Sequence, residues 1–140
     1  GIFRNLYKDF IPSSGHVIIG DNVRFGINCT VLKGVTIGDN VFIAPNCVFS
    51  TAGHAIDSEQ RSRGLEIALP ITVGDNVWIG TNVSVLPGVT IGNNTIIGAG
   101  SVVNKNIPEG VIAAGNPCKV IRKINFILNV KFEKRYCCHM

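Results

Sequence analysis

Residues 17–52 read VIIGDN VRFGIN CTVLKG VTIGDN VFIAPN CVFSTA, and residues 71–106 read ITVGDN VWIGTN VSVLPG VTIGNN TIIGAG SVVNKN. Every block of six follows one rule. In the first run the leading residue is small or β-branched (Val17, Val23, Cys29, Val35, Val41, Cys47), and the third is larger and apolar (Ile19, Phe25, Val31, Ile37, Ile43, Phe49). A period of two places both on one face of a short strand. Eleven of the twelve blocks end on Asn or Gly, Ala52 being the exception. These residue types tolerate the positive φ that a sharp corner needs. Apolar residues at i, i+2, i+6 and i+8 line no face of an α-helix. The blocks are therefore strand-plus-corner units, three to a triangular coil, and the coils stack into an all-β parallel β-helix. Four such coils make a prism roughly 20 Å tall at the usual strand spacing.

The beat stops at Gly53 and resumes at Ile71. The interval 53–70, GHAIDSEQRSRGLEIALP, is polar and three blocks long, so the phase survives it. A loop extruded from a regular prism costs little and is a common carrier of function. It leaves the coil beside His54, the only histidine within the repeats. The chain reads as a single domain in three parts: an N-terminal cap over residues 1–16, with a short helix ending before Pro12, the β-helix over 17–107 with its inserted loop 53–70, and a tail over 108–140. In that tail the spacing of Val120, Ile121, Ile124, Ile127 and Leu128 predicts a short C-terminal helix over 119–136 that covers the end of the prism.

Composition narrows the function. The 140 residues carry a net charge of +4, with 46% hydrophobic and 16% charged residues. That suits one domain with its own core and excludes a disordered chain. No stretch is apolar for long enough to span a bilayer, and residues 1–10 lack the apolar run of a signal peptide. No membrane partner is expected, and Gly1 in place of Met reads as a processed or tag-cleaved start. The basic excess gathers at Lys119, Arg122, Lys123, Lys131, Lys134 and Arg135, which suits a phosphorylated cofactor, a membrane surface or nucleic acid. No aromatic and basic residues interleave to stack bases, which argues against nucleic acid. Cys29, Cys47, Cys118, Cys137 and Cys138 form no disulfide framework and indicate a reduced, cytoplasmic protein.

Four segments carry more than the repeat: IAPNCVFSTAGH (43–54), PITVGDNVWIG (70–80), LPGVTIGNNTIIGAGSVVNKNIP (86–108) and AAGNPCKVIRKI (113–124). On these the chain resembles the hexapeptide-repeat acyltransferases, in particular the maltose, galactoside and nodulation-type O-acetyltransferases, over most of residues 17–124. The resemblance implies a left-handed coil, against the general right-handed rule for parallel crossovers. It implies transfer of an acetyl group from acetyl-CoA to a hydroxyl of a sugar or glycan, directly and without a metal. His54 would be the general base, a role that suits imidazole because it titrates near working pH. Trp78 would stand near that histidine. Thr81, Ala99, Asn104 and Lys105 would line the pantetheine arm, and Lys119 and Arg122 would meet the CoA phosphates. The family implies a homotrimer with sites between subunits.

The acceptor side departs from the pattern. The maltose and galactoside enzymes carry Asn-x-Asn in the second block, where this chain has Gly26 and Asn28. The following turn, ending LKG, is two residues shorter and lacks the family's Asp. Asn28 and Arg24 remain as substrate-side candidates. The donor is thus better specified than the acceptor, and an antibiotic or other xenobiotic O-acetyltransferase and a serine acetyltransferase-like enzyme stay open as alternatives. Two rivals fail on residues. A γ-class carbonic anhydrase needs three histidines on zinc, whereas His16, His54 and His139 do not fall at coil spacing. A purely structural β-helix gives no reason for His54, Trp78 and the basic tail to occur together.

Overall fold

The computed structural model describes residues 15–125. Residues 1–14 and 126–140 lie outside it. With them go most of the expected N-terminal cap, the distal part of the expected C-terminal helix, and Cys137, Cys138 and His139.

The described chain winds around three flat faces. The first is built from β1 (Ile18–Ile19), β4 (Val35–Ile37), β9 (Ile71–Val73) and β12 (Thr90–Ile91). The second has β2 (Arg24–Phe25), β5 (Phe42–Ile43), β10 (Trp78–Ile79), β13 (Ile96–Ile97), β15 (Val111–Ala114) and β16 (Lys119–Lys123). The third has β3 (Thr30–Val31), β6 (Val48–Phe49), β11 (Ser84–Val85) and β14 (Val102–Val103). Pairing is parallel at a step of 18 residues, Arg24 opposite Phe42 and Trp78 opposite Ile96. Across the inserted loop the step is 36, Val35 opposite Ile71. The insert therefore equals one coil in length, and inward positions stay inward on both sides of it.

The first and third residues of the blocks fill the interior. Val35, Ile37, Val41, Ile43, Cys47 and Phe49 are all buried, as are their counterparts from Ile71 to Val103. Burial pushes the Cys47 thiol up from its ordinary value, which fits a small core residue rather than a nucleophile. Thr51, Thr95 and Ser101 are buried with their hydroxyls satisfied: Thr51 donates to the Lys33 carbonyl at 2.8 Å, Thr95 to that of Pro108 at 3.0 Å and Ser101 to that of Gly98 at 2.6 Å. The first coil is more open, with Phe25 at 39% exposure.

Corners follow the block ends. Asn22, Asn28, Asn40, Asn46, Asn76, Asn82 and Asn94 have φ between 53° and 62°, and Gly34, Gly88 and Gly100 are also positive. Asn106 is not among them, and there the register changes: Ile107 bridges Ile91, and Ile112 stands opposite Ile96, a step of 16. The last corner is two residues short, and the Asn106 side chain instead accepts a hydrogen bond from the Thr90 amide at 2.8 Å. One column of corners is held by a ladder. The Asp75 carboxylate accepts from the Asp39 amide at 2.7 Å, and Asn93 does the same for Asp75 at 2.8 Å. A Cβ on Gly38 would collide with the Asp75 carboxylate, so the Gly-Asp pair of each GDN corner is one device.

The expected C-terminal helix is corrected at its start. After the turn at 115–118, Lys119–Lys123 is strand β16, antiparallel to β15, with Ile112 opposite Arg122. The apolar spacing there satisfies a helix, but all five residues are exposed, so a helix would have nothing to pack its face on. The open edge of β15 offers unpaired backbone groups instead, and pairing satisfies them.

Candidate functional site

A trough runs along the second face. Gly26, Ala44, Gly80 and Gly98 stand in one column, each amide donating to the coil above, as in Gly26 to the Ile43 carbonyl at 2.7 Å and Gly80 to that of Ile97 at 2.8 Å. With almost no side chain there, a groove of about 200 Å³ remains, lined by Ala44, Trp78, Gly80, Thr81, Ile97, Gly98 and Ala99. The floor cannot be raised. A Cβ on Gly80 would lie 2.6 Å from the Ala99 nitrogen, and one on Gly98 2.8 Å from the Ala114 Cβ. Trp78, Thr81 and Ala99, three of the sequence candidates, meet in this groove.

The other donor-side candidates lie around it. Lys119 and Arg122 are exposed on β16, in the same sheet as Trp78 and three strand spacings away, roughly 14 Å. Asn104 and Lys105 are exposed at the corner after β14 and do not line the groove. On the acceptor side, Asn28 is exposed at the corner after β2 with φ 61°. The Arg24 guanidinium lies 5.3 Å from the centre of the Phe42 ring. Phe42 in turn is 43% exposed and pairs with Trp78 one coil above.

His54 sits elsewhere. It ends β7 (Ala52–His54), which leaves the coil after the third face and pairs antiparallel with β8 (Glu66–Ala68). The short helix α1 (Ser58–Ser62) closes the tip, with the Asp57 carboxylate accepting from the Gln60 amide at 2.8 Å. Arg61 donates to the carbonyls of Ala55 at 3.0 Å and Ile56 at 2.8 Å, which ties the loop to itself. His54 is exposed and is not part of the groove lining, so one chain alone does not bring it to Trp78. Directly across the ribbon from His54 stands Glu66, a residue the sequence analysis did not single out. Its signal was the return strand GLEIALP, but a loop pairing is invisible until the register of its two arms is known.

Among the described residues, no three of His, Cys, Asp and Glu cluster closely enough to hold a metal ion. No helix among them is long and apolar enough to cross a membrane.

The family model for the bacterial transferase hexapeptide (six repeats) matches residues 16–51 and 70–105. The chain belongs to that family. The coil is accordingly the left-handed parallel β-helix of hexapeptide-repeat acetyltransferases. Among relatives in this hexapeptide family, the galactoside O-acetyltransferase of Escherichia coli (strain K12) is 53% identical over 118 residues, which cover 83% of this chain and 58% of that enzyme. A galactoside acetyltransferase solved in complex with coenzyme A superposes with a TM-score of 0.70 at 40% identity, over 93% of this chain and 76% of that one. A hexapeptide-repeat acetyltransferase of Vibrio cholerae O1 biovar eltor, complexed with acetyl-coenzyme A, gives 0.76 at 38% identity, over 79% of this chain and 61% of that one. The chain spans 55% to 60% of the length of the curated relatives it matches.

Proposed function

We infer that this chain carries the donor site and the general base of an acetyl-CoA-dependent O-acetyltransferase acting on a hydroxyl of a sugar or glycan. The observation that carries the reading is the groove: a Gly/Ala floor with Trp78, Thr81 and Ala99 on it and a basic strand at one end of the same sheet. A narrow, apolar trough ending in cations fits a linear thioester arm with phosphates at its far end. The two relatives with bound coenzyme A and acetyl-coenzyme A support this choice of donor. Asn104 and Lys105, at the same third-to-first corner as the His54 loop, reach the arm's polar amides from the neighbouring subunit, and Lys119 and Arg122 take the phosphates.

His54 removes the proton from the acceptor hydroxyl. That oxygen attacks the thioester carbonyl, the carbon–sulfur bond breaks, and the imidazolium returns the proton to the departing thiolate. The products are an acetate ester and CoA, with no covalent enzyme intermediate. Glu66, opposite His54, is placed to orient the ring. The exposure of Phe42, half-burial of Trp78 and distance of His54 from the groove all favour a homotrimer in which the His54 loop of one subunit meets the groove of the next. Free thiols at Cys29, Cys47 and Cys118 suit the cytoplasm.

The shortened LKG turn keeps a second reading alive, in which the acceptor is a xenobiotic hydroxyl rather than maltose or a galactoside. The test is release of thiol from acetyl-CoA in a screen of sugars, hydroxylated antibiotics and serine, beside calorimetric titration with acetyl-CoA. A chain that binds no acetyl-CoA contradicts the proposal.

A further inference from the structure

The second face has a direction. Its strand order is β16, β15, β13, β10, β5, β2. If the phosphates lie at β16 and the arm passes Trp78 on β10, the acyl end points to β5 and β2, and the acceptor must meet it there. The floor continues in that direction through Ala44 to Gly26, on which a Cβ would lie 2.6 Å from Pro45 Cδ. At this lower end stands Arg24. Its guanidinium is drawn over the Phe42 ring, one coil nearer Trp78, at 5.3 Å. Among the described residues, no carboxylate lies within ion-pair distance of it, the one ion pair being Arg63 with Glu59. A guanidinium is permanently charged and presents a planar fork suited to carboxylate or phosphate. The cation–π contact draws it toward Phe42, and its N–H groups make no hydrogen bond among the described residues.

We propose that Arg24 selects an anionic acceptor, a hydroxyl compound bearing a carboxylate or phosphate near the hydroxyl that is acetylated. The proposal rests on the acetyltransferase reading, since the direction of the donor defines the acceptor end. It goes beyond that reading by naming the acceptor's charge. Asn28, at the next corner, adds a neutral hydrogen-bonding group on the same coil.

The test is calorimetric and uses the full chain saturated with CoA, so that anions cannot occupy the Lys119 and Arg122 end. Three probes are compared: a methyl hexoside, the corresponding methyl hexuronide and the hexose 1-phosphate. The wild type is expected to bind at least one anion tenfold or more tightly than the neutral hexoside, and the tighter anion tells carboxylate from phosphate. Arg24→Gln should collapse that ratio to within about twofold through loss of anion affinity, while Arg24→Lys retains part of it. Equal binding of all three probes by the wild type, or an anion preference that survives in Arg24→Gln, overturns the proposal. Failure to bind CoA in the loading titration instead overturns the acetyltransferase reading, and the proposal with it.

Discussion

His54 and Glu66 face each other across a two-stranded ribbon that is itself outside the prism. Opposed residues of an antiparallel pair bring their Cβ atoms to about 5 Å, so a carboxylate there can accept from one ring nitrogen and leave the other free. Glu66→Gln keeps the shape and removes the charge. It should lower kcat by about tenfold with little change in the KM for acetyl-CoA, because a ring that is no longer oriented meets the acceptor hydroxyl less often. An unchanged kcat would assign Glu66 a structural role only. His54 stands where a strict repeat breaks, and the resemblance carried by IAPNCVFSTAGH gave it the role of base. Glu66 could not be picked out, because its partner is set by the register of β7 on β8. Trp78, Thr81 and Ala99 were legible through the resemblance to the O-acetyltransferases, and the stacked coils bring them together in one groove.

At the scale of elements, repeat arithmetic predicts strand positions, corners and the phase across the 53–70 insert, since all follow from a period. It fails where the period ends. The corner before Ile107 loses two residues, and the tail pairs as β16 on β15 instead of coiling into a helix at 119–123. Local apolar spacing was outweighed by an open sheet edge, which a sequence does not display. The corner ladder gives a stability prediction. Gly38→Ala places a methyl against the Asp75 carboxylate and the Gly74 backbone, and should destabilise by about 1–3 kcal/mol in urea unfolding; an unchanged midpoint would mean the corner yields freely. For β16, Lys119→Ala combined with Arg122→Ala should raise the KM for acetyl-CoA more than that for the acceptor. The effect should shrink with a donor lacking the 3′-phosphate. An equal loss with both donors would separate these side chains from that phosphate.

The whole molecule presents three unlike faces. The first shows exposed threonines, Thr36, Thr72 and Thr90, and is suited to water. The second shows Phe42, Trp78 and the groove, and the His54 loop projects from the corner between the third and first with Ile56 at 98% exposure. In the proposed trimer, a closed three-fold ring would join that loop to the neighbour's second face. Light scattering should give a trimer at micromolar concentration, and a stable monomer would contradict the shared site. Mixed trimers offer a sharper check. His54→Ala and a groove-filling Ala99→Trp should each be inactive alone and should recover part of the activity when refolded together, because some interfaces then join an intact loop to an intact groove.

The central claim is that His54 is the base for direct acetyl transfer to a hydroxyl. Acceptor-dependent release of CoA from acetyl-CoA, followed across pH for the wild type and His54→Ala, tests it most directly. The wild-type rate should rise with pH through one ionisation. In His54→Ala that rise should vanish and turnover fall roughly 10²–10⁴-fold, the usual worth of a positioned base, with acetyl-CoA affinity little changed. Near-normal turnover in His54→Ala, or a burst of CoA release without acceptor, would contradict it.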